Sequence, residues 1–99
     1  MFNKSQLEQI ELGIIAGYNL SIYAKPEFDG GRMRQIRPGL AQGLDVSVYA
    51  KLEFNSLQMM EIKRGLAQGL DVSIYAMSGF SWRQMAEIRE GLEKEKKNV

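Results

Sequence analysis

Phe54-Asn55-Ser56-Leu57-Gln58-Met59-Met60-Glu61-Ile62-Lys63-Arg64-Gly65-Leu66-Ala67-Gln68-Gly69-Leu70-Asp71-Val72-Ser73-Ile74-Tyr75-Ala76 reads as one helix with its start and stop spelled out, followed by a shorter element. Asn55 stands at an N-cap position, and Gln58 three residues later completes the capping-box spacing. In that arrangement the cap oxygen takes the N3 amide while the glutamine reaches back to the cap amide. Phe54 before the cap and Met59 at the fourth helical position form a hydrophobic staple. Met59, Ile62 and Leu66 make an i, i+3, i+7 apolar stripe. Gly69 falls where a left-handed residue ends a helix, which predicts a helix of about a dozen residues. Asp71 then caps Val72-Ser73-Ile74-Tyr75-Ala76, enough for one or two further turns.

The same reading applies three more times at a spacing of 26 residues. Phe2, Phe28, Phe54 and Phe80 align, as do Ile10, Ile36, Ile62 and Ile88, and Gly13, Gly39, Gly65 and Gly91. Asn3, Asp29 and Ser81 take the cap position, and Gln6 and Gln84 the box position. The stripe recurs as Leu7/Ile10/Ile14, Met33/Ile36/Leu40 and Met85/Ile88/Leu92. Gly17 and Gly43 end the first two helices, Asn19 and Asp45 cap the short second elements, and Pro26 in Lys25-Pro26-Glu27 blocks continuation. A helix this short cannot bury its stripe alone, whereas stacked units can. The expected fold is therefore all-α, a short right-handed-type α-solenoid of four units, 1–27, 28–53, 54–79 and 80–99. At 100° per residue, the glycine column from Gly13 to Gly91 and the column Ile15/Ala41/Ala67/Glu93 flank the stripe, and both are expected to let neighbouring helices approach. Glu93 and the tail Lys94-Glu95-Lys96-Lys97-Asn98-Val99 read as a capping end, so the chain reads as complete.

Composition narrows function by exclusion. A net charge of +1 supplies no global field to draw the chain to nucleic acid or anionic lipid. Cysteine and histidine are absent, which removes disulfides, thiolate chemistry and the commonest zinc ligands. Met1-Phe2-Asn3-Lys4 opens no signal peptide, and no run of about 18 apolar residues exists. One domain in the cytoplasm of a bacterial host cell is the expectation.

Gln58 through Ala76 resembles a tandem repeat of the form QMxxIRxGLxxGLDVSxYA, found in uncharacterised proteins of phages and conjugative elements of Firmicutes. The likeness covers nearly the whole chain, departing at Gly17-Tyr18-Asn19-Leu20 and at Arg37-Pro38-Gly39. It transfers no catalytic or ligand residue. It implies a mobile-element setting, in which small proteins often inhibit or adapt host defence machinery, as anti-CRISPR proteins do.

Catalysis finds no support in the residues. Asp45 and Asp71 serve as caps, a task Asn19 performs equally well, whereas neither a general acid nor a hard-metal ligand tolerates that exchange. Ser21, Ser47 and Ser73 lack a base in any fixed motif, and the recurring Tyr23, Tyr49 and Tyr75 fit packing between elements. No enzyme, cofactor or metal is expected. Function should lie where the units differ, and the candidate partner-binding residues are Arg34, Arg37, Leu57, Met60, Lys63, Arg64, Trp82 and Arg89. Arg34, Leu57, Met60 and Arg64 point away from the core stripe and mix arginine with apolar groups, a composition suited to a protein interface. Arg34, Arg37, Lys63 and Arg89, with Arg32 and Arg64 nearby, form a possible basic ladder, the alternative being nucleic-acid binding. The partner is accordingly a protein first and a nucleic acid second, with no membrane, and the chain a monomer or weak homodimer. Unit two is the irregular one: Gly30 and Gly31 fill its first turn, Arg32 breaks the capping box, and Pro38 is expected to kink the helix.

Overall fold

The computed structural model describes residues 1–98. Among these the chain is all-helical and has no strand. Its α-helices are α1 (Lys4–Ala16), α2 (Gly30–Ala41), α3 (Ser56–Ala67) and α4 (Trp82–Lys97). Three-residue 3-10 turns at Leu20–Ile22, Val46–Val48 and Val72–Ile74 succeed the first three helices.

Local chemistry sets these boundaries. The Asn3 side chain accepts from the Gln6 amide at 2.9 Å, and the Gln6 side chain accepts from the Asn3 amide at 2.8 Å. Reciprocal boxes of the same kind start α3 at Asn55/Gln58 and α4 at Ser81/Gln84. Gly17, Gly43 and Gly69 sit at φ 77°, 71° and 72°, the left-handed conformation that strains any residue with a Cβ. Beyond each glycine, the amides of Tyr18, Leu44 and Leu70 return to the carbonyls of Gly13, Gly39 and Gly65, satisfying groups the helix end leaves free. Asn19, Asp45 and Asp71 then accept from the amides and hydroxyls of Ser21, Ser47 and Ser73, which gives those serines a structural task.

The helices pack in chain order, α1 on α2, α2 on α3 and α3 on α4, and each 3-10 turn lies on its own helix. The result is elongated and flat, 45 × 26 × 16 Å. Met33, Ile36, Met59, Ile62 and Met85 form the helical side of the core, closed by Tyr23, Tyr49 and Tyr75 from the turns. Burying each such side chain is worth about 1.5–3 kcal/mol, so the core, not local propensity, holds these short helices.

The first stripe departs from expectation. Leu7 and Ile14 are exposed, because their positions face the preceding helix and among the described residues α1 has none. The glycine column also serves a different purpose from the one expected. A Cβ on Gly13, Gly39 or Gly65 would lie 2.0, 2.2 or 2.0 Å from the hydroxyl of Tyr23, Tyr49 or Tyr75. The missing side chain therefore admits the unit's own turn, not a neighbouring helix. Ile15, Ala41 and Ala67 are exposed and flank no interface. In unit two, a Cβ on Gly30 would collide with the Ser5 side chain at 1.9 Å, so that glycine is demanded by the approach of α1 to α2. α2 runs unbroken through Pro38.

Candidate partner-binding face

Gln9, Gln35 and Glu61, spaced 26 residues apart, are junctions between units. The hydroxyl of Tyr23 donates to the Gln9 carbonyl, that of Tyr49 to the Gln35 carbonyl and that of Tyr75 to the Glu61 carbonyl, each at 2.7 Å. The side chains of the same three residues receive the next helix: Arg37 Nε donates to Gln9 Oε1 at 2.8 Å, Lys63 Nζ to Gln35 Oε1 at 2.7 Å and Arg89 Nε to Glu61 Oε1 at 2.9 Å. A second tie runs along the helix starts. Gln6 Nε2 donates to the Phe28 carbonyl at 2.7 Å and Gln58 Nε2 to the Phe80 carbonyl at 2.7 Å. In unit two Arg32 takes over this task, its Nε donating to the Phe54 carbonyl at 2.8 Å. Arg32 breaks the capping box yet keeps the tie between units.

These bonds correct the basic ladder. Arg89 is 8% exposed and Glu61 1%, a buried ion pair in which Arg89 also contacts Gln68 and Glu93. Burial alone would lower the Arg89 pKa, but the hydrogen bond and charge of Glu61 outweigh it and hold the value above the usual one. Arg37 and Lys63 are half-buried and committed to their glutamine acceptors. Burial, with Arg64 and Arg37 nearby, lowers the Lys63 pKa. The row at these positions is a set of struts, because a long basic side chain spans the gap between adjacent helices to an acceptor on the preceding one.

The other candidate residues lie outside the struts. Arg34 is exposed; Arg64 is exposed and leans on Glu61 at 2.9 Å. Leu57 is exposed, whereas Met60 is half-buried. Trp82 is half-buried beneath the Arg83 guanidinium, 5.3 Å from its ring centre, a cation–π contact on its own helix. The eight residues therefore form no single surface. Residues 5, 8, 12 and 15 and their copies 26 residues apart, spread over about 80° of helix, make up the outer face, and Arg34, Leu57, Met60 and Arg64 belong to it.

That face is richest in apolar surface on α1. Leu12 and Ile15 occupy it at 44% and 82% exposure, and Leu7 and Ile14 on the adjoining open edge add 45% and 60%. Glu8 and Glu11, both exposed, lie among them. Four exposed aliphatic side chains thus lie on one 13-residue helix. The sequence pattern alone did not single out Leu12 and Ile15, since Ile15 fitted interhelical packing. The signal was present, because both share their stripe with Glu8 and lie off the core direction.

Among the described residues, no group of three or more acidic residues is placed to hold a metal ion, and no helix is long and apolar enough to cross a membrane. No protein-family model, curated protein or solved structure matches this chain.

Proposed function

We propose that this chain is a non-enzymatic protein-binding module, a short α-solenoid of four 26-residue units that docks a protein partner on the outer face and open edge of α1. The observation that carries this reading is the exposure of Leu7, Leu12, Ile14 and Ile15 on one helix. Exposed apolar side chains favour a partner that removes them from water, and burial of that kind drives most protein association. Leu57, Met60, Arg34 and Arg64 extend the face onto α2 and α3. The solenoid reading is supported by the recurrence of tyrosine locks and basic struts at the period of the sequence. An adaptor or inhibitor acting within a mobile element's host is the role that the sequence resemblance favours, with host defence proteins as the target class. The nucleic-acid reading draws less support, because Arg89 is buried in an ion pair and Arg37 and Lys63 are half-buried, each tied to a glutamine inside the fold.

The test is affinity capture from a bacterial lysate by the parent and by Leu12→Glu/Ile15→Glu. That variant places on α1 the acidic residues α4 already carries at the same two positions, Glu90 and Glu93. A protein retained by the parent and lost at least about tenfold by the variant, with unfolding unchanged, supports the face; that loss corresponds to about 1.4 kcal/mol. Equal capture by both excludes it, and a nuclease-sensitive catch excludes the protein-binding class.

A further inference from the structure

Unit four has the lock without the key. In the first three units a 3-10 turn folds back on its helix, inserting a tyrosine over a glycine and an aliphatic residue beside it. At Gly39, for example, a Cβ would meet the Tyr49 hydroxyl at 2.2 Å and the Val46 Cγ1 at 2.7 Å. The equivalent pairs are Tyr23 with Leu20 at Gly13 and Tyr75 with Val72 at Gly65. α4 retains the glycine, Gly91, although glycine weakens a helix interior. Yet α4 continues past it: Glu95 stands in the helix where the other units place Gly17, Gly43 and Gly69, and among the described residues no turn folds back on α4. Among the described residues, nothing lies within 4 Å of the Gly91 Cβ position.

Ile36 and Ile62 are fully buried, whereas Ile88, like Ile10 at the other end of the stack, is half-buried. Phe28 and Phe54 are buried, whereas Phe80 and Phe2, in the two end units, are half-buried. Gln9, Gln35 and Glu61 each offer a carbonyl that takes a tyrosine hydroxyl, and Glu87 holds that position in α4 with no tyrosine donating to it.

We infer that the shelf over Gly91, Ile88 and Leu92 is a binding site for a tyrosine-bearing segment of a partner protein. The segment carries an aliphatic residue three positions before its tyrosine and lies in a 3-10 turn. Its phenol donates to the Glu87 carbonyl, and its aliphatic residue covers the Gly91 notch. Three filled copies of the site within the same molecule specify the occupant's chemistry. The site is separate from the α1 face, so either can fail without the other.

The test is an NMR titration of the full chain with a peptide copying residues 69–76, GLDVSIYA. The expected result is saturable shift of the Gly91 amide and of the Ile88 and Leu92 methyls. Replacing the peptide's tyrosine by phenylalanine should weaken binding about fivefold, the loss of one neutral hydrogen bond. Gly91→Ala should abolish the shifts at Ile88 and Leu92 while leaving the fold intact, since its Cβ meets open space in the free protein. The same peptide fused after Val99 through a Gly/Ser linker raises its effective concentration to the millimolar range, so weak affinity cannot hide the site. Unshifted Ile88 and Leu92 in the fusion, or equal binding by Gly91→Ala, would overturn the inference. So would shifts that appear on concentrating the protein without peptide, since a second copy would then be the occupant.

Discussion

Alanine at two glycines of the same unit position should move stability in opposite directions. At Gly65 the new methyl would lie 2.0 Å from the Tyr75 hydroxyl and 2.6 Å from Val72 Cγ1. Tyr75 is fully buried and cannot swing into solvent without opening the core. Forcing the contact apart breaks the 2.7 Å bond to the Glu61 carbonyl and strands a buried hydroxyl, at about 1–3 kcal/mol. Overpacking adds about 1–3 kcal/mol. The better helix propensity of alanine returns about 1 kcal/mol. Gly65→Ala should therefore destabilise by about 1–5 kcal/mol, centred near 3. At Gly91 only the propensity remains, since nothing lies within 4 Å, so Gly91→Ala should stabilise by up to about 1 kcal/mol. Urea denaturation followed by far-UV circular dichroism reads both: the midpoint should fall by about 1 M or more in the first variant and rise slightly in the second. Equal shifts of the same sign would refute the tyrosine lock as the reason for the glycines.

The struts differ in cost. Arg89→Ala leaves Glu61 buried with only the exposed Arg64 as partner and should cost about 3 kcal/mol, whereas Arg37→Ala leaves a neutral glutamine acceptor and should cost about 1 kcal/mol; chemical denaturation of the two variants checks the order. Alkali should unfold the protein through its tyrosines. Burial raises the pKa of Tyr23 and Tyr49 and pushes Tyr75 up to about 12. A phenol with a higher pKa folded than unfolded stabilises fully below pH ~10 and loses that contribution as pH rises through the folded value. Lys63, with its lowered pKa, acts in the opposite sense but is one group against three. Thermal unfolding temperature should thus fall steadily above pH ~10 and fall less in Tyr75→Phe.

The helices, their caps and their ends were legible because each depends on residues within a few positions: Asn3 with Gln6, Asp45 with Ser47, Gly69 with Leu70. Contacts at long range were not. Arg37, Lys63 and Arg89 look like a surface row from one helix alone, and only the position of the preceding helix reveals acceptors at Gln9, Gln35 and Glu61. Gly30 looks like an irregularity within its own unit because its partner, Ser5, lies in another. The α1 face was hidden for the same reason. Leu7 and Ile14 carry the core pattern, and their exposure depends on what precedes them in space, which periodicity does not encode. Met60 looked like surface by angle alone, yet it is half-buried.

The most direct test of the proposed function is a methyl-labelled NMR titration of the chain with the protein it captures. Partner binding should shift or broaden the methyls of Leu7, Leu12, Ile14 and Ile15, reach Leu57 and Met60 more weakly, and leave Ile36 and Ile62 in place. Perturbation confined to the 3-10 turns and α4, with the α1 methyls unmoved at saturation, would contradict it.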